Sequence, residues 1–227
     1  MKKEFVTDCG GIQPYESITE LVFILDKSGS MSGMEKDTIG GFNAMIEKQK
    51  ALDGKVFVST VLFSNFSEVL HDRKTLEEIE PLTEKDYQVG GSTALLDAIG
   101  GAVKHIRNIH KYARKEDVPT RTLFVITTDG MENASRIYSS SSVKEMIKNY
   151  QEKHGWEFLF LAANIDAVGT AESIGIRKDR AFNYVVEEDT KVMYEELGES
   201  IRSYRSCSPT CFASIEKNIK KRKNKKV

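Results

Sequence analysis

Cysteine, secretory signals and long apolar runs are scarce or absent in this sequence, and each scarcity excludes a class of protein. There are only three cysteines, Cys9, Cys207 and Cys211, and an odd, sparse count is typical of proteins from a reducing compartment. No apolar run approaches the roughly 20 residues that a membrane-spanning helix requires. The amino terminus lacks the apolar middle of a secretory signal. We therefore expect a cytoplasmic protein that makes no membrane contact.

The short motifs of common enzyme classes are also missing. Gly54 and Lys55 are followed by Val56, so there is no Walker A phosphate-binding loop. No G-x-S-x-G nucleophile elbow occurs. The histidines, which could serve as general bases, are scattered along the chain: His71, His105, His110 and His154. The sequence therefore predicts a protein that is not an enzyme by itself.

Length and charge indicate one domain with a basic tail. The chain has 227 residues, which suits a single α/β domain with short extensions. Residues 217–227 contain seven Lys and Arg and no acid, which leaves 26 basic against 34 acidic residues in the rest of the chain. We predict an extension at 1–17, one domain at 18–206 and a disordered tail at 207–227. The tail's charge could attract nucleic acid, but its basic run has no aromatic residue to stack on bases, so nucleic acid is not an expected partner.

Six short apolar segments predict β-strands. Most are continuous hydrophobic runs, which are typical of strands buried on both faces of a parallel sheet. Two neighbouring segments, 55–63 and 68–72, are separated by only four residues. Because a parallel crossover needs more chain, this pair should form an antiparallel hairpin at the sheet edge. The six segments are residues 21–26, 55–63, 68–72, 122–128, 157–163 and 181–186.

Four segments between these strands repeat apolar residues at the three- and four-residue spacing of helices. Ser92 or Thr93 is expected to cap the second helix, and Ser141 or Ser142 the third. The order of elements predicts a Rossmann-like, doubly wound α/β fold with a mostly parallel six-stranded sheet, one antiparallel edge strand and helices on both faces. The predicted helices are residues 35–51, 93–113, 142–153 and 189–204.

Polar loops follow two of the predicted strands, where an open parallel sheet binds its ligands. The first strand ends in D-K-S-G-S, with Asp26, Ser28 and Ser30, and the fourth ends in T-T-D-G, with Asp129. A third loop, V-G-G-S-T, reaches a helix at Thr93. Hydroxyl and carboxylate oxygens suit Mg²⁺ or Mn²⁺ and are poor ligands for zinc or copper. Two carboxylates this close would repel each other unless a cation lay between them.

These three loops resemble the metal-ion-dependent adhesion site of von Willebrand factor A (vWA) domains. All five positions of that site match, and the resemblance extends over residues 18–206, being strongest to stand-alone members of bacterial type. It implies that the two serines bind the metal directly, that the threonine binds directly or through water, and that the two aspartates bind directly or through water and neutralise the metal's charge. The implied metal is Mg²⁺, with Mn²⁺ and Ca²⁺ left open. The implied ligands are Asp26, Ser28, Ser30, Thr93 and Asp129.

The resemblance also implies an open coordination position, which an Asp or Glu carboxylate of a partner protein would fill. We expect Met31 and Met34 to offer apolar contact area to that partner. Asp97, one turn into the helix after Thr93, is interpreted as structural, because a carboxylate is favourable near a helix amino terminus. The expected partner-binding rim consists of Met31, Ser32, Met34, Asn65, Glu132 and Asn133.

The leading hypothesis is therefore a metal-dependent protein–protein interaction module. One alternative is a regulatory subunit of an ATPase or of a stress-response complex of the tellurite-resistance kind, which the stand-alone bacterial members suggest. A weaker alternative is a metal-assisted phosphoester hydrolase. Against it, sites of the haloacid dehalogenase type carry a second aspartate two residues after the first, and Ser28 occupies that position here.

Overall fold

The computed structural model describes residues 17–184, 186–206 and 212, with only the backbone described for residues 186–189. Three features discussed above lie outside the described residues: almost all of the amino-terminal extension, the three cysteines and the basic run at 217–227. The described residues contain a six-stranded sheet and the helices that cover it.

Six strands form one sheet in the order β3-β2-β1-β4-β5-β6. Every neighbouring pair is parallel except β2 and β3, which form an antiparallel hairpin at one edge. The predicted sheet and its antiparallel edge strand are therefore confirmed. The strands are β1 Thr19–Asp26, β2 Val56–Phe63, β3 Ser67–Thr75, β4 Arg121–Thr128, β5 Glu157–Ala163 and β6 Ala181–Tyr184.

The described residues contain five α-helices: four connect the strands, α5 follows β6, and one of the connecting helices was not predicted. The sequence indicated no helix between β5 and β6, yet the two strands are parallel and a parallel pair requires a crossover. The short helix α4 supplies it. No helix among the described residues is both long enough and apolar enough to cross a membrane. The helices are α1 Glu35–Lys50, α2 Leu95–Tyr112, α3 Ser140–His154, α4 Ala167–Ser173 and α5 Val186–Arg205.

The sheet separates two hydrophobic clusters. Alternate residues of β1 point to opposite faces, so that Leu21 and Phe23 pack beneath α1 and α5, whereas Val22 and Ile24 pack beneath α2, α3 and α4. Both faces of the central strands are buried. This double burial explains why the strands appear as continuous apolar runs in the sequence.

The predicted helix caps were wrong by one to three residues. The cap residue of α2 is Ala94, which has no side chain that can accept a hydrogen bond, and not Ser92 or Thr93. The cap of α3 is Ser139, whose hydroxyl accepts from the Ser142 amide. The free amides at the start of α2 find acceptors elsewhere in the chain, as described below.

The strand order places a switch point beside β1. The chain leaves β1 toward β2 on one side and later returns to β4 on the other side. At such a point the loops after the two central strands diverge and leave a crevice at the carboxyl edge of the sheet. Asp26 is the last residue of β1, and Asp129 directly follows β4. The fold therefore brings both carboxylates to this crevice.

Candidate metal centre

Three hydroxyl groups converge in front of Gly130. A β-carbon built on this glycine would lie 2.8 Å from Thr93 Oγ1, 2.9 Å from Ser30 Oγ and 3.6 Å from Ser28 Oγ. The two serine hydroxyls are themselves 3.1 Å apart. Three predicted ligands from two separate loops thus crowd the position that a side chain at residue 130 would take, and they can do so only because this residue is glycine.

The carboxylate of Asp26 lies at the base of this arrangement and is fully buried. Its Oδ1 accepts a 2.7 Å hydrogen bond from the Ser28 amide, and its Oδ2 accepts a 2.5 Å hydrogen bond from the Thr128 hydroxyl. Burial raises the pKa of Asp26, and the nearby charge of Asp129 adds to the rise, while these hydrogen bonds oppose it. The neighbouring groups orient the carboxylate but do not neutralise its charge.

Asp129 supplies the second carboxylate and is 5 % exposed. Burial raises the pKa of its carboxyl group, and the Ser30 hydroxyl opposes the rise. Its Oδ1 atom is buried and has no hydrogen-bond partner. A buried carboxylate oxygen without a donor is unfavourable unless a cation or another partner compensates it.

This donor set fits a hard divalent cation. Two carboxylates and three hydroxyls supply oxygen ligands only, which Mg²⁺ prefers and which soft metals do not. Among the described residues, no three or more His, Cys, Asp and Glu side chains form a group that could hold a metal. A metal at this position would therefore depend on the serine and threonine hydroxyls as well as on the carboxylates.

Backbone hydrogen bonds join the loop after β1 to the loop before α2. The Gly29 amide donates to the Gly91 carbonyl, and the Gly90 amide donates to the Lys27 carbonyl, both at 2.9 Å. Gly91 has a φ of 82° and lies against the side chain of Asn65. A side chain at this position would be both strained and obstructed. The two loops that carry Ser28, Ser30 and Thr93 are thus held as one unit.

The loop after β4 is fastened to the start of α2 by side chains. The Thr93 amide donates to Asn133 Oδ1 at 2.9 Å, and the Leu96 amide donates to Glu132 Oε2 at 2.8 Å. The Asp97 amide donates to Ser135 Oγ at 3.0 Å. These contacts replace the missing cap of α2, because each satisfies an amide that has no partner within the helix.

The carboxylate of Asp97 holds the same loop from the opposite direction. It accepts hydrogen bonds of 2.8 to 2.9 Å from three successive backbone amides, those of Arg136, Ile137 and Tyr138. Partial burial raises the pKa of Asp97, but the three amides outweigh it and the pKa lies below its usual value. Its interpretation as structural is supported, although its partners belong to the loop and not to the helix amino terminus.

Two residues of the predicted rim require a correction. Met31 and Met34 are only 2 % and 3 % exposed, and both pack in the cluster beneath α1 and α5. The chain makes a 3₁₀ turn at Gly29–Met31 and enters α1 directly after Met34. Both side chains therefore point into the core, and they offer no contact area to a partner.

The other rim residues lie at the surface, but most are engaged in holding loops. Ser32, Asn65 and Asn133 are exposed, and Glu132 is half-buried. Asn65 Oδ1 accepts from the Ser92 amide at 2.6 Å. Both carboxylate oxygens of Glu132 accept hydrogen bonds from its own loop or from α2. These side chains mainly position the predicted ligands.

Three residues that shape the site were not singled out as site residues from the sequence. Gly130 leaves the space for the hydroxyls, and Thr128 donates to Asp26. Both belong to the T-T-D-G segment, so the motif itself contained the signal. The hydroxyl of Tyr87 donates to the backbone carbonyl of Asp26, and burial raises the pKa of this tyrosine, which remains a neutral donor. No local pattern marks this long-range contact.

The comparison with protein families agrees with this fold. A profile described as "VWA domain containing CoxE-like protein" matches residues 9–165, which is well over half of the chain. The chain belongs to the von Willebrand factor A family. A search of the curated proteins gave no match.

Solved vWA structures share the fold. A von Willebrand factor type A protein from Catenulispora acidiphila is 12% identical with a TM-score of 0.53, covering 80% of this chain and 42% of its own. The ArnB paralog VWA2 from Sulfolobus acidocaldarius is 22% identical, with a TM-score of 0.50 and coverages of 82% and 45%. The vWF domain of the type V pili tip protein Mfa5 from Porphyromonas gingivalis is 10% identical, with a TM-score of 0.60 and coverages of 82% and 96%.

These likenesses establish the fold alone, because the identities are low. The vWA chain spans less than half of the length of the first solved structures that it matches. The vWA fold generally serves as a protein-interaction module. Membership of the vWA family therefore sets the general class of this domain, and the role of its site has to be argued from the residues.

Proposed function

We propose that this vWA domain binds a partner protein through a divalent cation, Mg²⁺ in the first instance. The observation that carries the proposal is the convergence of three hydroxyls on the space before Gly130, next to two buried carboxylates. Asp129 Oδ1 has no hydrogen-bond partner, and a bound cation would compensate it. The proposed ligands are Asp26, Ser28, Ser30, Thr93 and Asp129.

The partner would supply an acidic side chain. Only two of the five proposed ligands are carboxylates, and together they balance the two positive charges of the cation. The bound cation therefore still attracts a further anionic oxygen. Ser30 is exposed while Asp26 is fully buried, so the site is open on the side of the serine. An Asp or Glu carboxylate of another protein would approach from that side.

Affinity capture tests the proposal most simply. The full chain is immobilised and exposed to an extract of its native cell in MgCl₂, and bound proteins are then eluted with EDTA. We expect a defined set of proteins in the eluate, and we expect the Asp129→Ala variant to retain none of it while its circular dichroism spectrum stays unchanged. Identical captured proteins in MgCl₂ and in EDTA would contradict the proposal.

A regulatory role within a larger complex is the second candidate. It is favoured by the match to the CoxE-like group, which hints at regulation. An ATPase among the proteins eluted with EDTA would support it, and the regulatory role would then be one use of the same docking site.

The proposal assigns no catalysis to this chain. A histidine is the most frequent group in acid–base catalysis, but the buried His71 contacts the Thr60 hydroxyl, between β2 and β3, instead of the candidate metal centre. A phosphatase screen in MgCl₂ tests this assignment. Phosphoester hydrolysis by the wild type that is lost in Asp26→Ala would overturn it.

A further inference from the structure

Two large apolar side chains stand exposed beside the candidate metal centre. Phe66 is 83 % exposed and Met131 is 73 % exposed. Phe66 lies in the tight turn between β2 and β3, and Met131 directly follows Gly130. Neither was expected at the rim from the sequence, which pointed instead to the two buried methionines of the first loop.

Both residues are attached to the loop that carries Thr93. On one side, the Ala94 amide donates to the Ser64 carbonyl at 2.8 Å, and the Ser92 amide donates to Asn65 Oδ1 at 2.6 Å. On the other side, Asn133 makes two hydrogen bonds to the backbone of Thr93. The turn with Phe66 and the loop with Met131 are therefore fixed relative to the hydroxyl cluster.

The sheet determines how the two side chains flank the site. Phe66 follows β2 and Met131 follows β4, and these two strands lie on opposite sides of β1, which ends in Asp26. Adjacent strands are about 4.8 Å apart, so the two loops start roughly 10 Å from each other with the carboxylate between them. A short peptide segment can span that distance with three or four extended residues.

The exposure of these residues is unexplained by the fold. A turn of this kind is usually built from polar residues and glycine, and Phe66 makes no contribution to either hydrophobic cluster. Exposed apolar surface that extends beyond a single side chain and is rimmed by polar residues marks sites that bind another protein. A bound metal ion is positively charged and a carboxylate is negatively charged. The centre of such a surface would therefore take an acidic side chain of the partner.

We propose that Phe66 and Met131 form an apolar rim, and that the partner presents an acidic side chain flanked on both sides by apolar residues. The inference rests on the proposed function, because the metal centre supplies the acidic specificity. The rim would also select for the residues beside the partner's carboxylate. A carboxylate surrounded by polar residues would reach the metal but leave the side chains of Phe66 and Met131 in water. Burial of two such side chains strengthens binding by at least about tenfold.

Selection of peptides from a random library tests this inference directly. Phage-displayed random 12-residue peptides are selected on the immobilised full chain in MgCl₂ and eluted with EDTA, with Asp129→Ala as the background. One eluted peptide is then synthesised, and its affinity is measured for the wild type and for the Phe66→Ser/Met131→Ser double variant. Tyr112→Ser is the matched control, because Tyr112 is 78 % exposed and lies at the far end of α2, roughly 25 Å from the site.

We expect the eluted peptides to contain Asp or Glu with apolar residues on both sides. The double variant should bind the synthetic peptide at least tenfold more weakly and the Tyr112 variant as the wild type does, with thermal unfolding unchanged in both. Acidic peptides without apolar neighbours, or equal binding by the double variant, would overturn the rim and leave the metal-dependent docking intact. A total lack of EDTA-eluted peptides would overturn both.

A second copy of the chain is the competing occupant of this rim. Sedimentation velocity of the wild type and of the double variant distinguishes it. A monomer in both cases supports a different protein as the partner. A wild-type dimer that dissociates in the double variant would overturn the inference, because the apolar rim would then be an interface between copies.

Discussion

Asp26 and Asp129 carry two buried carboxylate charges that the protein's own side chains do not neutralise. Both carboxyl groups have raised pKa values because they are buried, and the charge of Asp129 also raises the pKa of Asp26. The hydroxyls of Thr128 and Ser30 oppose this only in part. A buried like-charged pair is typical of a site completed by a cation. The arrangement is therefore more easily explained by binding than by stability.

Gly130 provides a steric test of the same site. Alanine at this position would place its methyl carbon 2.8 Å from Thr93 Oγ1 and 2.9 Å from Ser30 Oγ. We expect Gly130→Ala to weaken Mg²⁺ binding at least tenfold, as measured by isothermal titration calorimetry. Because the hydroxyls must move, we also expect the free energy of unfolding to fall by about 1–3 kcal/mol.

Gly101→Ala is the control for this prediction. Gly101 lies in α2 with no atom within 4 Å of an added β-carbon. This variant should bind Mg²⁺ like the wild type and gain about 0.5–1 kcal/mol of stability from helix propensity. Unchanged Mg²⁺ affinity in Gly130→Ala would show that the hydroxyl cluster packed against residue 130 does not bind the metal.

At the scale of elements, the loop after β4 depends on one carboxylate from α2. Asp97 accepts three backbone amides of that loop, and the loop begins with Asp129. Removing hydrogen bonds to a charged group costs about 2 kcal/mol. We expect Asp97→Ala to lower the free energy of unfolding by that amount in urea titrations and to weaken Mg²⁺ binding, because the loop is no longer fixed.

The stability difference should also depend on pH. The folded pKa of Asp97 lies below its usual value, so its contribution is complete above the unfolded pKa of about 3.9 and is lost as the pH falls through the folded value. The wild type and Asp97→Ala should therefore converge in stability under acid conditions. Glu78→Ala is the control, since Glu78 also accepts a backbone amide, that of Thr75, and its loss should leave Mg²⁺ affinity unchanged. An equally weakened affinity in that control would contradict the assignment.

The contact between α1 and α5 offers a second pair of glycines with opposite expectations, and these two are adjacent in the chain. A β-carbon on Gly41 would lie 2.7 Å from the ring atom Cγ of the buried Tyr194, whereas one on Gly40 would meet nothing within 4 Å. Gly41→Ala should therefore destabilise the protein by about 1–3 kcal/mol, and Gly40→Ala should stabilise it by about 0.5–1 kcal/mol. Thermal unfolding measures both. Stabilisation by both variants would show that α5 does not pack closely on α1.

Elements were predictable from the sequence where their signal is local. The strands appear as continuous apolar runs because both sheet faces are covered. Helix α4 was missed because it is short and buries only the small side chains of Ala167 and Ala171. The cap of α2 was wrong because its amides are bound by Glu132 and Ser135, nearly 40 residues away along the chain. A local sequence pattern cannot reveal a hydrogen-bond acceptor that only the tertiary structure brings close to the helix.

At the scale of the whole molecule, the fold and the proposed metal site are coupled. The ligand-bearing loops follow β1 and β4 and precede α2, which are central elements of the sheet and of its cover. The resemblance of three loops to the vWA metal site indicated which side chains would lie together. The strand order explains why these loops meet at one edge of the sheet. From the sequence, Met31 and Met34 were expected at the apolar rim, but both are buried. Their burial follows from the turn that leads into α1, which residue spacing alone does not reveal.

Because the loops belong to one cooperative domain, a bound metal should stabilise all of it. A ligand that binds only the folded state adds RT ln(1 + [L]/Kd), about 2.7 kcal/mol at a hundredfold excess over Kd. For a domain of this size that corresponds to a rise in Tm of about 5–10 °C. The Asp129→Asn variant keeps the shape of the site but removes one buried charge, so its metal-free form should be at least as stable as the wild type.

Thermal unfolding of the full chain in EDTA and in increasing MgCl₂ therefore tests the metal centre most directly. For the wild type, we expect a Tm that rises with the concentration of Mg²⁺. For Asp129→Asn, we expect a Tm that is independent of Mg²⁺ and, in EDTA, equal to or above that of the wild type. A wild-type Tm that does not respond to Mg²⁺, or an equal response in Asp129→Asn, would contradict the claim that these loops hold a divalent cation.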